Sequence, residues 1–312
     1  MSEKIKVAVI QASPVYLDLE ASLVKAVGLI EQAAQMGAKL VALGETWLPG
    51  YPAWLDHCPG AALWNHEPTK QVFARLRQNS VVVPGRETER LGEATRKYNL
   101  VLVIGVNERV AHGLGNGTLY NSLLTFGTDG NLINHHRKLV PTYTERLVWG
   151  QGDAAGLEAV DTPLGRVGAL VCWEHWMPLA RQALHVSGEH VHVAVWPTVH
   201  EMHQIASRHY AFEARCFVIA AGLIMRVKDL PQELSAPPEF AGRPEELLLR
   251  GGSCVIGPDG RYVVGPVFDE EKILTAEIDL SQIDQEKMVL DVSGHYHRPD
   301  VFDLGIKRSS RE

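Results

Sequence analysis

The stretch "KIKVAVIQASPVYLDLEASLVKAVGLIEQAAQMGAKLVALGE" (residues 4–45) decides the architecture. Its first eight residues alternate into a β-branched run, the pattern of a strand, because branched side chains fit a pleated surface. From about Leu17 to Met36 apolar residues return at helical spacing, and the run ends at Gly37, a residue type that closes helices readily. "AKLVALGE" (38–45) then supplies a second buried strand. This order, with continuously apolar strands, predicts an α/β protein in which helices cover a sheet.

Working outward, residues 46–68 are rich in Pro, Gly and Trp and read as a long irregular segment, followed by one or two polar helices up to about Asn99. "LVLVIGVNER" (100–109) returns to strand. Residues 118–126 and 131–137 flank "GTDG" and read as a hairpin, since Asp-Gly supplies the positive φ that a tight turn requires. A loop over 141–158 precedes the strand "VGALVC", a helix after Pro178, a strand over 191–196 and a helix over about 203–217. Strands near 218–225, 252–257, 261–266 and 272–278 complete the chain, with a proline-rich covering loop over 230–245. No linker or repeat divides the 312 residues, so a single domain is expected, with a core over about 5–280 and a C-terminal extension over about 281–312.

With 37 acidic and 30 basic residues the formal charge is −7, which argues against a nucleic-acid surface and for a small-molecule partner. No stretch is apolar for long enough to span a bilayer, and the first residues lack a secretory pattern, so no membrane is expected and the location reads as cytoplasmic. The four cysteines, Cys58, Cys172, Cys216 and Cys254, form no CxxC pair and suggest neither a zinc site nor a disulfide framework. "HEMH" (200–203) lacks the histidine spacing of a zinc-protease helix, and "GLGNGT" (113–118) lacks the third glycine of a dinucleotide loop. No cofactor and no metal is implied.

Three reactive residue types fall at strand ends: Glu45 after "LVALG", Lys138 after "INHHR" and Cys172 after "GALV". The carboxyl ends of strands surround the crevice in which open α/β sheets place ligands, so the three can meet. Their chemistry is coherent. A thiol is mostly protonated at neutral pH, a carboxylate can take its proton, and an ammonium can hold the charge that develops as the thiolate adds to an unsaturated carbon.

The motifs around these residues are "GETWLPGYP" (44–52), "HRKLVPTYTERLVWGQGD" (136–153) and "CWEHWMP" (172–178). Together with "LYNSLLTFGTDG" (119–130) and "LDVSGHYHRPDVF" (290–302), they resemble the nitrilase branch of the carbon–nitrogen hydrolase superfamily, from about residue 5 to 303. The resemblance implies a four-layer αββα sandwich that works as a homodimer or a higher homo-oligomer; only "DLGIKRSSRE" follows the last motif, so a short oligomer is expected rather than a long spiral. It implies Cys172 as nucleophile, Glu45 as general base and Lys138 as stabiliser of the tetrahedral species. Glu145 would position the substrate and the lysine, against the plainer reading of a loop ion pair with Arg146 or another cation. Glu174 and His175 flank the nucleophile.

The implied reaction is hydrolysis of a small organic nitrile to the carboxylic acid and ammonia through a covalent cysteine thioimidate and thioester. An amidase or carbamoylase using the same residues is the neighbouring alternative, and a catalytically idle ligand-binding or scaffold protein is the alternative of another class. The pocket candidates are Trp47, Tyr51, Trp54, Trp173, His175 and Trp196. The tryptophans in or near the motif loops lead to the expectation of aromatic or arylaliphatic nitriles.

Overall fold

A computed structural model describes residues 4–308, and in it the opening unit consists of β1 (Ile5–Gln11), α1 (Leu19–Gln35) and β2 (Leu40–Leu43). The Asp18 side chain caps α1 by accepting from the Ala21 amide at 3.0 Å, which satisfies one of the free donors of its first turn. β1 and β2 pair in parallel, Val7 opposite Leu40 and Ile10 opposite Leu43. Both faces of these strands are used. Ala8, Ile10, Val41 and Leu43 bury against α1 and neighbouring helices, while Val7, Val9, Leu40 and Ala42 enter the core shared with a second sheet. That double burial is why the strands read as unbroken apolar runs.

The chain continues through α2 (Trp54–His57), α3 (Glu67–Gln78), α4 (Arg86–Tyr98), β3 (Val101–Arg109), β4 (Leu119–Phe126) and β5 (Leu132–Arg137). Next come β6 (Val160–Thr162), β7 (Gly165–Val171), α5 (Pro178–Val186), β8 (Val191–Val195), α6 (Glu201–Ala214), β9 (Phe217–Ala221) and β10 (Ile224–Arg226). The last elements are β11 (Leu247–Ile256), β12 (Tyr262–Phe268), β13 (Lys272–Ile278) and α7 (Ser281–Lys287). One sheet runs β13-β1-β2-β3-β4-β5; the other runs β10-β11-β9-β8-β7-β6, with β12 beside β11. β1 and β2 lie across from β9, and β4 from β7, so the sheets stack face to face. Helices α1, α3 and α4 cover the first sheet and α5 and α6 the second, giving the expected four-layer αββα sandwich.

The structure departs from the sequence reading at particular residues. The strand expected to run through Cys172 stops at Val171, because Cys172 turns left-handed with φ 52° and opens a tight 3-10 turn, Cys172–Trp176. The strand expected over 218–225 divides at Gly222, whose amide donates to Ser253 Oγ at 3.0 Å instead of to a neighbouring strand. β11 starts at Leu247 rather than 252 and is bulged where Gly251 and Gly252 take φ of 78° and 83°. The helix expected over 203–217 begins at Glu201 and ends at Ala214, since Arg215 reverses to φ 52°. The buried Arg215 then reaches the C-terminal segment, donating from Nη1 to Pro258 O at 3.1 Å and from Nε to Leu290 O at 3.3 Å. The end of "DLGIKRSSRE", residues 309–312, lies outside the described residues. Among the described residues no helix is long and apolar enough to cross a membrane.

Candidate active site

Glu45 follows β2 by two residues and Lys138 follows β5 by one, both from the first sheet; Cys172 follows β7 of the second. The structure brings these three together with Glu145, from the 3-10 turn Tyr143–Leu147. Lys138 is buried and donates from Nζ to Glu45 Oε1 at 3.1 Å and to Glu145 Oε2 at 2.6 Å. Glu145 accepts further from the Thr142 amide at 2.7 Å and from Tyr51 Oη at 2.9 Å. Its partner is therefore Lys138 and not Arg146, whose Nε goes to Pro141 O at 3.2 Å.

Glu45 Oε1 accepts a second hydrogen bond from Asn121 Nδ2 at 2.6 Å, while Glu45 Oε2 is buried with no partner among the described residues. A buried carboxylate oxygen without a donor is costly, which marks it as a free proton-accepting position. The backbone around Glu45 is held close to β3. A Cβ on Gly105 would come within 2.4 Å of both Gly44 O and Thr46 N, so only glycine fits there. Thr46 (φ 45°), Tyr143 (φ 45°) and Cys172 (φ 52°) all sit in the left-handed region that side chains disfavour. Three such residues in the three motif loops form the concentration of backbone strain typical of functional sites.

Two buried carboxylates share one buried ammonium, and the electrostatics follow. Burial pushes the Glu45 carboxyl up to about 7; Lys138 pulls the other way, Glu145 adds to the rise, and the Asn121 bond opposes it. Burial also raises the Cys172 thiol well above its ordinary value, with Glu45 raising it further and Lys138 lowering it. For Lys138 burial favours the neutral amine, but Glu45, Cys172 and Glu145 outweigh it and hold the ammonium. Burial raises Cys58, Cys216 and Cys254 as well, but none of them faces this cation.

Cys172 opens into a cleft of about 600 Å³ that Tyr51, Glu145 and Trp173 also line. Its outer wall is polar and imidazole-rich, with Asp56, His57, His200 and His203 beside Leu248 and Leu249. Four of the pocket candidates do not line it. Trp47 is fully buried and donates from Nε1 to Ala12 O at 2.9 Å, a packing role. Trp54 belongs to a neighbouring apolar groove of about 360 Å³ with Phe73 and the almost fully exposed Trp64. Trp196 is buried in a stack with His203 and His175, and His175 lies against the carbonyl of Cys172, 2.7 Å from its Nδ1. Tyr51 does line the cleft, and also anchors Glu145.

Two contributors went unassigned in the sequence. Asn121, inside the "LYNSLL" motif, orients Glu45; an amide side chain within a strand of mostly apolar residues was the available signal. Glu174 ties the two sheets together. It accepts from the Val171 amide at 2.7 Å and the Leu139 amide at 2.8 Å, and both its oxygens lie 3.0 Å from His136 Nε2. The residues next to Cys172 and Lys138 are therefore held by one carboxylate.

The carbon–nitrogen hydrolase family matches residues 6–288. The chain is 41% identical to a protein named Nitrilase 2, from an unknown prokaryotic organism, over 99% of this chain and 94% of that one. It is also 41% identical to an aliphatic nitrilase of Sinorhizobium fredii, over 97% of this chain and 96% of that one. In fold it matches the crystal structure of a nitrilase-superfamily member from Saccharomyces cerevisiae, with TM-score 0.70, 21% identity and coverage of 96% and 98%. With its cysteine, lysine and two glutamates gathered at one cleft, the chain belongs to the carbon–nitrogen hydrolase family, in its nitrilase branch.

Proposed function

We propose that the protein hydrolyses a small organic nitrile to the carboxylic acid and ammonia, with Cys172 as nucleophile, Glu45 as general base, Lys138 as electrostatic stabiliser and Glu145 as the group that orients the lysine. The observation that carries this reading is the unpartnered, buried Glu45 Oε2 beside a Lys138 that bridges both carboxylates, with Glu145 and Cys172 lining the open cleft. Glu45 takes the thiol proton as sulfur bonds to the nitrile carbon, and the proton passes to nitrogen to give a thioimidate. Water adds to that carbon, the carbon–nitrogen bond breaks, and ammonia leaves a thioester. A second water breaks the carbon–sulfur bond, releasing the acid and restoring the thiol. A base poised near 7 suits this sequence, because it must both accept and return protons at neutral pH. The Lys138 ammonium offsets negative charge at each tetrahedral stage.

For the R group, Trp173 and Tyr51 supply aromatic walls, whereas the imidazole-rich rim and the relationship to an aliphatic nitrilase favour short or polar-substituted chains over large aryl groups. The exposed apolar side chains on α5 and α6, Leu179, Met202, Ile205 and Phe212, support action as a homo-oligomer. The test is ammonia and acid production from benzonitrile, phenylacetonitrile and a short dinitrile, with the corresponding amides alongside. Acid from nitriles, abolished in Cys172→Ala, is the expected result. Turnover of amides alone assigns the site to amide hydrolysis, and full activity in Cys172→Ala removes the cysteine from the chemistry.

A further inference from the structure

Behind the cleft a second set of buried titratable groups begins at the nucleophile's own backbone. His175 Nδ1 lies 2.7 Å from Cys172 O, and His175 Nε2 lies 2.9 Å from His192 Nε2. His192 Nδ1 lies 2.8 Å from Glu189 Oε2. Glu189 Oε1 accepts from Tyr210 Oη at 2.5 Å and faces His185 Nδ1 at 3.3 Å, and His185 Nε2 meets Glu213 Oε2 at 3.1 Å. Arg181 closes the set, donating from Nε to Glu213 Oε2 at 2.7 Å and from Nη1 to His175 O at 3.1 Å. His175, His185, Glu189, His192 and Tyr210 are all buried.

Counting hydrogens along this chain fixes its state. A carbonyl oxygen only accepts, so His175 must carry its hydrogen on Nδ1. Burial holds the His175 imidazolium well below its usual range, so the ring is neutral and its Nε2 is an acceptor. His192 must then donate from Nε2. Its Nδ1 faces Glu189, whose carboxyl, although burial raises it, is drawn down to about 2 by His192 and His185 and is therefore ionised. His192 must donate there too. His192 then donates to both His175 and Glu189, and His185 likewise donates to both Glu189 and Glu213, so that every contact has one donor and one acceptor.

We propose that Glu189 is a positioning residue for the nucleophile: by holding His192 so that it donates to His175 Nε2, it supports the placement in which His175 donates from Nδ1 to the carbonyl of Cys172 and holds that residue in its left-handed turn. The turn needs such a hold, since a left-handed conformation is disfavoured for any non-glycine residue, and misplacing a reacting group by about 1 Å can cost two orders of magnitude in rate. The fold makes room for the device. A Cβ on Gly168 of β7 would stand 2.3 Å from Glu189 Oε2, and Tyr210 stacks on the His192 ring at 3.8 Å between centroids.

The inference rests on Cys172 being the nucleophile, and two measurements keep the two readings apart. Nitrogen NMR of the intact, 15N-histidine-labelled protein reads the hydrogen placement without any turnover. It is expected to show His175 with its hydrogen on Nδ1 and His192 with a hydrogen on Nε2; His175 with its hydrogen on Nε2 overturns the proposal. In kinetics on a turned-over nitrile, Glu189→Leu is expected to lower kcat about 10- to 100-fold with KM changed less than about twofold. Glu189→Gln is expected to stay within about threefold of the parent, because its amide donates to His192 Nδ1 and a neutral His192 still donates to His175. A folded Glu189→Leu with parental kcat, or a glutamine variant as impaired as the leucine one, overturns the proposal. Should Glu189→Leu fail to fold, the NMR result on the parent decides. Loss of activity in Cys172→Ala alongside an unaffected Glu189→Leu removes the relay alone, whereas an active Cys172→Ala removes the nucleophile reading beneath it.

Discussion

Two buried ionic clusters flank Cys172, and they differ in one respect. In front, Glu45, Glu145 and Lys138 leave one carboxylate oxygen without a donor and open onto a cleft. Behind, none of the polar side-chain atoms of His175, His192, Glu189, His185 and Glu213 is buried without a partner. Both are charged, and both are built from residues that ordinarily avoid interiors. Buried charge alone therefore does not mark chemistry. In the proposed reading it is a vacancy in the hydrogen-bond count, next to groups that line a cleft, that marks the chemistry, while a saturated count marks a part that holds position.

The sharpest way to break this contrast is to neutralise the front cluster. Glu45→Gln and Lys138→Met are each expected to lower kcat/KM for a nitrile by about 10³-fold or more, measured by ammonia release on folded protein. Near-parental activity in either variant would make the vacancy incidental. Next in size is pH. With Glu45 acting as a carboxylate base of pKa about 7 in the free protein, kcat/KM should rise about tenfold per unit below that value and level above it. Removing the Glu145 charge with Glu145→Gln takes away a cause of the raised value, so the acidic limb should move to lower pH even as kcat falls. Tyr51→Phe removes a single hydrogen bond to Glu145 and should reduce kcat by about 10- to 100-fold, in line with the roughly 1.5–3 kcal/mol of a bond to a charged group.

The smallest effect separates the clusters by the sign of their pH-linked stability. Glu45 has a folded-state value above its unfolded one, so its stabilising contribution is full below about 4.5 and lost as pH rises towards about 7. Glu189 is depressed to about 2, so its contribution is full above the unfolded value and lost as pH falls. Thermal melts should therefore find Glu45→Gln gaining stability relative to the parent from pH 4.5 to pH 8. Glu189→Gln should lose most of its stability deficit on acidification towards pH 3. The same sign in both variants would contradict the distinction.

Much of this was legible in the sequence, for physical reasons. β1 and β2 are buried on both faces and so are written as continuous apolar runs, and Glu45, Lys138 and Cys172 stand where those runs and their counterparts stop. The walls of the cleft were not legible. Trp47, Trp54 and Trp196 belong to motif loops or strand ends by position, but what each touches depends on packing between distant segments, such as the Trp47 bond to Ala12. The end of β7 was misplaced by one residue because nothing in "GALVCWEH" announces that Cys172 adopts positive φ. Glu189 and His192 read as an ordinary strand entry, since their meaning lies in a hydrogen count across α5, β8 and α6.

The Glu174 carboxylate that grips both Val171 and Leu139 bears on how the chain comes of age. The residues proposed to activate Cys172 come from the first half of the sequence, and the cysteine itself from the second. Until the two sheets close on Glu174, the thiol has neither base nor cation beside it and behaves like the other three cysteines. Reactivity is thus withheld from nascent and half-assembled chains, and the first chemically competent thiol belongs to a finished molecule.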